Sequence, residues 1–237
     1  FLGSGRAGLF RSRGDTIGGD LTLRFRLVFF DVDSTLAALE GIDFLAEGNQ
    51  EVVRLTDSAM NGDVPLDEVY GRRLEIIRPG ISDIERLSDE YRKRLVPGAS
   101  DVITALHQAG AVVHLVTAGI EQAIVPLAEQ LGIRRSAVHA VRLEFDSHGE
   151  YRDYDRRSFL TRSGGKAVVI RDVRARSHGR ALLIGDGITD AEAAGAVDLF
   201  VGFGGVTMRE RVRQIAGAYI DEPSLAGLLP MILEETS

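Results

Sequence analysis

Four apolar residues in a row, Leu27-Val28-Phe29-Phe30, read as a strand buried on both faces. The signature returns at residues 111–116, 181–184 and 199–201, with shorter strands expected at 137–140 and 218–220. Between these runs the apolar positions change to helical spacing at 101–109, 120–131, 165–176, 191–195 and 208–215, and a helix is expected after the last strand. Residues 142–146 and 150–154 flank Ser147-His148-Gly149, which predicts a hairpin. Repeated strand–helix units with apolar strands predict the α/β class, with a doubly wound, mostly parallel sheet.

One long stretch breaks the alternation. Residues 36–95 carry helical spacing and few strand signals: helices are expected at 36–47, at 51–60 behind an Asn49 cap, at 66–77 near Pro65, and at 83–95 behind a Ser82 cap. Asn61-Gly62-Asp63, Pro79-Gly80 and Pro97-Gly98 punctuate them. Inserted just after the first strand, this block would form a small separate lobe over the strand ends. Residues 1–22 sustain no hydrophobic period and carry Arg6, Arg11 and Arg13 among glycines and serines. They read as a disordered leader, with a basic arm as the alternative.

Composition narrows the field. The 237 residues, 44% hydrophobic and 27% charged, suit a globular protein with a full core. No apolar run approaches the roughly 18 residues of a membrane span, so no membrane partner is expected. A net charge of −7 argues against nucleic acid as the main partner. The absence of cysteine excludes disulfides, zinc–thiolate sites and cysteine nucleophiles, and fits a reducing, cytoplasmic location. The five histidines stand without ligand spacing and read as structural or surface residues.

The candidate chemistry gathers at strand ends. The first strand runs into Asp31-Val32-Asp33-Ser34-Thr35, where residues two apart point to the same side. Two converging carboxylates need a hard cation such as Mg2+, or a nucleophile beside an acid/base, or both. Thr117-Ala118-Gly119 follows the second core strand, ahead of an expected helix; a hydroxyl and free N–H groups there suit a phosphate, and an ordinary helix cap is the alternative. Ser163-Gly164-Gly165-Lys166 opens a further helix and offers a point charge for an oxyanion, or else a solvated lysine after a turn. Gly185-Asp186 ends another buried strand, with Asp190 four residues on; Asp186 is free to share a cation with Asp31.

Asp31-x-Asp33-x-Thr35, then Thr117, Lys166 and Gly185-Asp186-x-x-x-Asp190 resembles the four-motif signature of the haloacid dehalogenase superfamily. Glu40-Gly41-Ile42-Asp43, the Ser-Gly-Gly-Lys166 turn and Phe200-Val-Gly-Phe-Gly-Gly205 resemble its phosphoserine phosphatase family, over roughly residues 25–222. The resemblance implies a Rossmann-like core at 23–38 and 97–237, and a helical cap at 39–96. It implies hydrolysis of O-phospho-L-serine, with Asp31 as nucleophile, Asp33 as acid/base, and Mg2+ held by Asp31, the Asp33 carbonyl and Asp186 with Asp190 in support. Thr117, Ala118, Gly119 and Lys166 would hold the phosphoryl group. Glu40 would read the substrate ammonium and Arg73 its carboxylate, with Arg72 as a competitor. Leu66 stands where the family usually has Phe, and Ala118 replaces a commoner glycine. Other phosphate esters, or transfer to another acceptor, keep the same chemistry. A phospho-accepting signalling domain would need neither the second aspartate nor the helical insert. A homodimer is left open.

Overall fold

The chain alternates as expected, and every strand of the main sheet is parallel to its neighbours. The computed structural model describes residues 21–235. The elements run β1 (Leu21–Leu23), β2 (Leu27–Phe30), α1 (Gly41–Leu45), α2 (Gln50–Asn61), α3 (Leu66–Ile77), α4 (Ile81–Lys93), α5 (Ala99–Gln108), β3 (Val112–Ile120) and α6 (Glu121–Gln130). After these come β4 (Val138–Val141), β5 (Leu143–Phe145), β6 (Tyr151–Tyr154), α7 (Gly165–Ala175), β7 (Ala181–Gly185) and α8 (Ile188–Ala191). The described chain closes with β8 (Leu199–Phe203), α9 (Glu210–Ile215), β9 (Ala218–Ile220), α10 (Leu229–Ile232) and β10 (Leu233–Glu235).

Six strands form one sheet in the order β4-β3-β2-β7-β8-β9. All residues of β2 and β7 are buried, which explains their unbroken apolar runs. β2 pairs with β3 on one side and β7 on the other, so the chain reverses its direction of travel across the sheet at β2. That switch point opens a crevice at the carboxyl ends of β3, β2 and β7. The helices of 41–93 share one continuous apolar cluster with the sheet, including Tyr70, Leu74, Leu87 and Tyr91.

Four local expectations are corrected. Residues 36–40 are not helical; the first helix of the insert is α1, only five residues long. The N–H groups of Leu36 and Ala37 instead turn back onto the Val32 carbonyl, Ala38 N–H bonds the Arg94 carbonyl, and Val96 N–H bonds the Leu36 carbonyl. The apolar spacing at 36–39 therefore fills the junction where the chain leaves and re-enters the core. Gly80, not Ser82, caps α4, because the Asp83 carboxylate accepts from the Gly80 N–H at 2.9 Å. The C-terminal helix is a single turn, and β10 pairs antiparallel with β1. Of the expected leader, residues 1–20 lie outside the described residues, while Leu21 and Thr22 belong to β1.

The fourth correction bears on the site. Thr117-Ala118-Gly119 lies inside β3 rather than beyond its end: the strand runs on to Ile120, and the expected helix, α6, begins at the next residue, Glu121. Between the pairs Val116↔His139 and Ile120↔Val141 the ladder is irregular, with β3 carrying two more residues than β4. Such a bulge re-aims side chains at a strand end, and here it turns Thr117 into the crevice.

Candidate active site

Asp31 follows β2 directly and is buried. Its Oδ1 accepts from the Val32 N–H at 2.8 Å, while its Oδ2 meets the Lys166 ammonium at 2.8 Å. Lys166, in the first turn of α7, also meets Asp190 Oδ1 at 2.7 Å. Burial opposes the charge on Lys166, but Asp190 and Asp31 outweigh it and raise its pKa. The lysine's apparent local cost at a helix start is thus offset by two buried carboxylates. Gly185 makes this approach possible, since a Cβ there would overlap the Asp190 carboxylate.

Asp31, Asp186 and Asp190 each bring a carboxylate oxygen within 4.8 Å of the others. Asp186 Oδ1 accepts from the Thr35 hydroxyl at 3.2 Å, and its Oδ2 pairs with the Arg209 guanidinium. The Asp33 carboxylate points elsewhere: its Oδ1 accepts from Gly41 N–H at 2.7 Å and from Tyr91 Oη at 2.6 Å. Glu40, at the start of α1, accepts from the Ser34 hydroxyl at 2.8 Å, and Arg209 lies 4.0 Å away. Ser34 itself holds φ at 52°, a left-handed conformation that costs a non-glycine residue energy and brings its hydroxyl to Glu40.

Crowded acids shift together. Burial, then the Asp31 charge, pushes Asp33 up to about 6 against the Tyr91 and Gly41 hydrogen bonds. Asp186 is pushed up to about 7 by burial, with Arg209 opposing and Asp31 adding to the rise. Asp190 rises through burial and Asp31, and Glu40 through burial, Asp33 and Asp186. Five carboxylates meet three cations, Lys166, Arg73 and Arg209, so the site is short of positive charge. An all-oxygen, net-negative cluster fits a hard divalent cation better than a soft metal.

The insert supplies the other wall. Arg73 on α3 is 3% exposed, and no carboxylate lies within 4.0 Å of it among the described residues. Its Nη1 donates to Thr56 Oγ1 at 3.1 Å, its Nε has no partner, and burial lowers its pKa. The competing Arg72 is exposed and pairs with Glu51. Leu66 is buried beneath Ser163, whose hydroxyl accepts from the Leu66 N–H at 3.0 Å. The Gly119 N–H donates to Thr117 Oγ1 at 3.0 Å, and the Ala118 carbonyl accepts from Tyr70 Oη at 2.9 Å, so neither group is as free as a helix N-terminus would leave it.

Asp31, Asp33, Glu40, Arg73, Thr117, Ala118, Gly119, Lys166 and Asp186 line one cavity of about 30 Å³. Asp190 sits just behind it, against Lys166. Sequence reasoning missed Arg209 and the two tyrosines, and placed Thr35 in the first motif without giving it a partner. Arg209 lies in Met208-Arg-Glu-Arg-Val-Arg213, a run of alternating charge with no sign that one member is buried. A larger cavity, about 790 Å³, lies between α4, α6 and the β5–β6 hairpin and touches none of these residues.

Residues 28–195 match the model of the haloacid dehalogenase-like hydrolases. The chain belongs to that family. Within it the chain is similar to the chloroplastic phosphoserine phosphatase of Arabidopsis thaliana, 39% identical over 199 residues that span 81% of this chain and 68% of that protein. The phosphoserine phosphatase of Mus musculus is 37% identical over 82% of this chain and 88% of its own length. In fold, the chain matches a substrate-bound phosphoserine phosphatase complex with a TM-score of 0.78, at 23% identity, over 88% of this chain and 98% of the other. Among the described residues no helix is long and apolar enough to cross a membrane.

Proposed function

We propose that this protein is a phosphatase that hydrolyses O-phospho-L-serine to serine and phosphate through an aspartyl-phosphate on Asp31. The observation that carries the substrate is the pairing of opposite charges across one cavity: the buried guanidinium of Arg73, which has no carboxylate partner, and the carboxylate of Glu40. One acid and one bidentate cation suit the ammonium and carboxylate of an amino acid. The similarity to phosphoserine phosphatases supports the same reading.

In this mechanism an Asp31 oxygen attacks phosphorus as the bond to the serine oxygen breaks, and Asp33 gives that oxygen a proton. Serine leaves. Asp33 then takes a proton from water as the water attacks phosphorus and the bond to Asp31 breaks. Thr117 and Lys166 hold the phosphoryl oxygens, and Lys166 orients Asp31. Asp31, Asp186 and Asp190 would hold Mg2+, which would offset the repulsion between the Asp31 carboxylate and the phosphate. Residues 39–96 serve as the cap that brings Glu40 and Arg73 to the core. The absence of cysteine supports a reducing, cytoplasmic setting.

Phosphate release with Mg2+, measured over phosphoserine, phosphothreonine, sugar phosphates and nucleotides, tests the proposal. Phosphoserine should give the highest kcat/KM; preference for a sugar phosphate or nucleotide would refute it.

A further inference from the structure

Tyr91 is a buried tyrosine on the last turn of α4, and its hydroxyl reaches out of the insert to a single acceptor, Asp33 Oδ1. The same oxygen also takes the Gly41 N–H. Both donors belong to the 41–93 insert, whereas Asp33 follows a core strand. Position 41 accommodates the arrangement only as glycine, because a Cβ there would overlap the Tyr91 hydroxyl. Asp33 Oδ2 accepts no hydrogen bond among the described residues and lies beside Gly119, where an added Cβ would come within 2.9 Å of it. One oxygen of the carboxylate is therefore anchored to the insert, and the other faces the Thr117–Gly119 bulge.

We propose that Tyr91 is a positioning residue for Asp33: it fixes Oδ1 so that Oδ2 carries the proton, first to the leaving alcohol and then from water. This rests on the role of Asp33 in the proposed function. Tyr70 Oη, on α3, makes a second contact of this kind with the Ala118 carbonyl but does not touch Asp33. Because α4 delivers the anchoring hydroxyl, proton transfer is aligned only while the insert is docked.

A merely structural tyrosine and a positioning one are separated by leaving-group dependence. kcat/KM reports the steps through departure of the first product. Serine leaves as a poor alkoxide and needs a proton; p-nitrophenolate does not. Tyr91→Phe should lower kcat/KM for phosphoserine about tenfold, a fraction of the 10²–10⁴ that general acid–base catalysis supplies, and change kcat/KM for p-nitrophenyl phosphate by less than about twofold. Tyr70→Phe should show no such selectivity. Equal losses on both esters with Tyr91→Phe, no loss on either, or the same selectivity with Tyr70→Phe would overturn the proposal. Tyr91→Met, which fills the site without a hydroxyl, carries the same comparison if the Phe variant does not fold. If the wild type fails on phosphoserine, the substrate assignment falls, and the alkyl phosphate found by the release screen replaces it in the comparison.

Discussion

Arg73→Met should weaken substrate recognition while leaving the protein as stable as before, or more so. Among the described residues no carboxylate lies within 4.0 Å of the buried guanidinium, whose support is one hydrogen bond to Thr56, a position 5.6 Å from the Tyr70 ring centroid, and longer-range attraction from Glu40, Asp43 and Asp33. Those contacts contribute roughly 1 kcal/mol for the hydrogen bond and about 0.5–2 kcal/mol for the cation–π pair. Against them stands the desolvation of an unpaired buried cation, which costs several kcal/mol even after relaxation. The balance lies between neutral and about 2 kcal/mol in favour of methionine, or a rise in Tm of up to roughly 4–8 °C for a domain of this size. Binding moves the other way. Losing a desolvated partner to the substrate carboxylate should cost about 2–4 kcal/mol, which is roughly 30- to 1,000-fold in kcat/KM at 1.4 kcal/mol per tenfold. O-phosphoethanolamine, which has the ammonium but no carboxylate, should be processed equally by both forms. Steady-state kinetics on the two esters, with thermal unfolding of the same preparations, reads both signs. A fall in Tm of more than a few degrees together with equal losses on both esters would refute the reasoning and make Arg73 a structural residue.

Asp31→Asn should abolish metal-dependent phosphate release, and retained turnover in a phosphate assay would move the nucleophile elsewhere. Mg2+ at a hundred times its Kd should raise the wild-type Tm by roughly 5–10 °C, and Asp190→Asn should lose most of that rise in a thermal shift titration. His114 stacks on Phe29 and His139 in the sheet, and burial followed by the His139 charge lowers its pKa from 6.5 to about 4. The unfolded chain therefore binds a proton that the folded one refuses, and stability falls as the pH drops from 6.5 towards 4. His114→Phe should gain Tm relative to wild type progressively over that window, and a constant difference would refute the assignment.

The strand ends were legible because chemistry and pattern coincide there: a fully buried strand can carry polar residues only beyond its end. Asp31, Asp186 and Asp190 meet for that reason, although 155 residues of chain separate Asp31 from Asp186. Arg73 was separable from Arg72 only through packing, since adjacent helical positions point about 100° apart and the pattern does not say which one faces inward. The helix expected at 36–47 forms only from Gly41, because apolar residues that plug a junction and apolar residues on a helix face can share one spacing. The bulge at 117–119 left no trace, because a bulge depends on the register of two strands and the sequence of one does not encode it. Tyr91 and Tyr70 belong to no motif in the sequence; what distinguishes them is where their hydroxyls end.

The cavity between insert and core offers about 30 Å³, room for a couple of water molecules, whereas ligand pockets usually span roughly 300 Å³ or more. Substrate entry and serine departure therefore both require a shape other than the one that aligns Asp33. Turnover in such a molecule would alternate between an admitting shape and a reacting one, and opening of the insert would then compete with chemistry to set the rate. Swinging works against solvent friction, while phosphoryl transfer between held groups does not, so added glycerol or sucrose should slow kcat in proportion to viscosity, and an unchanged kcat would place the limit in the chemistry.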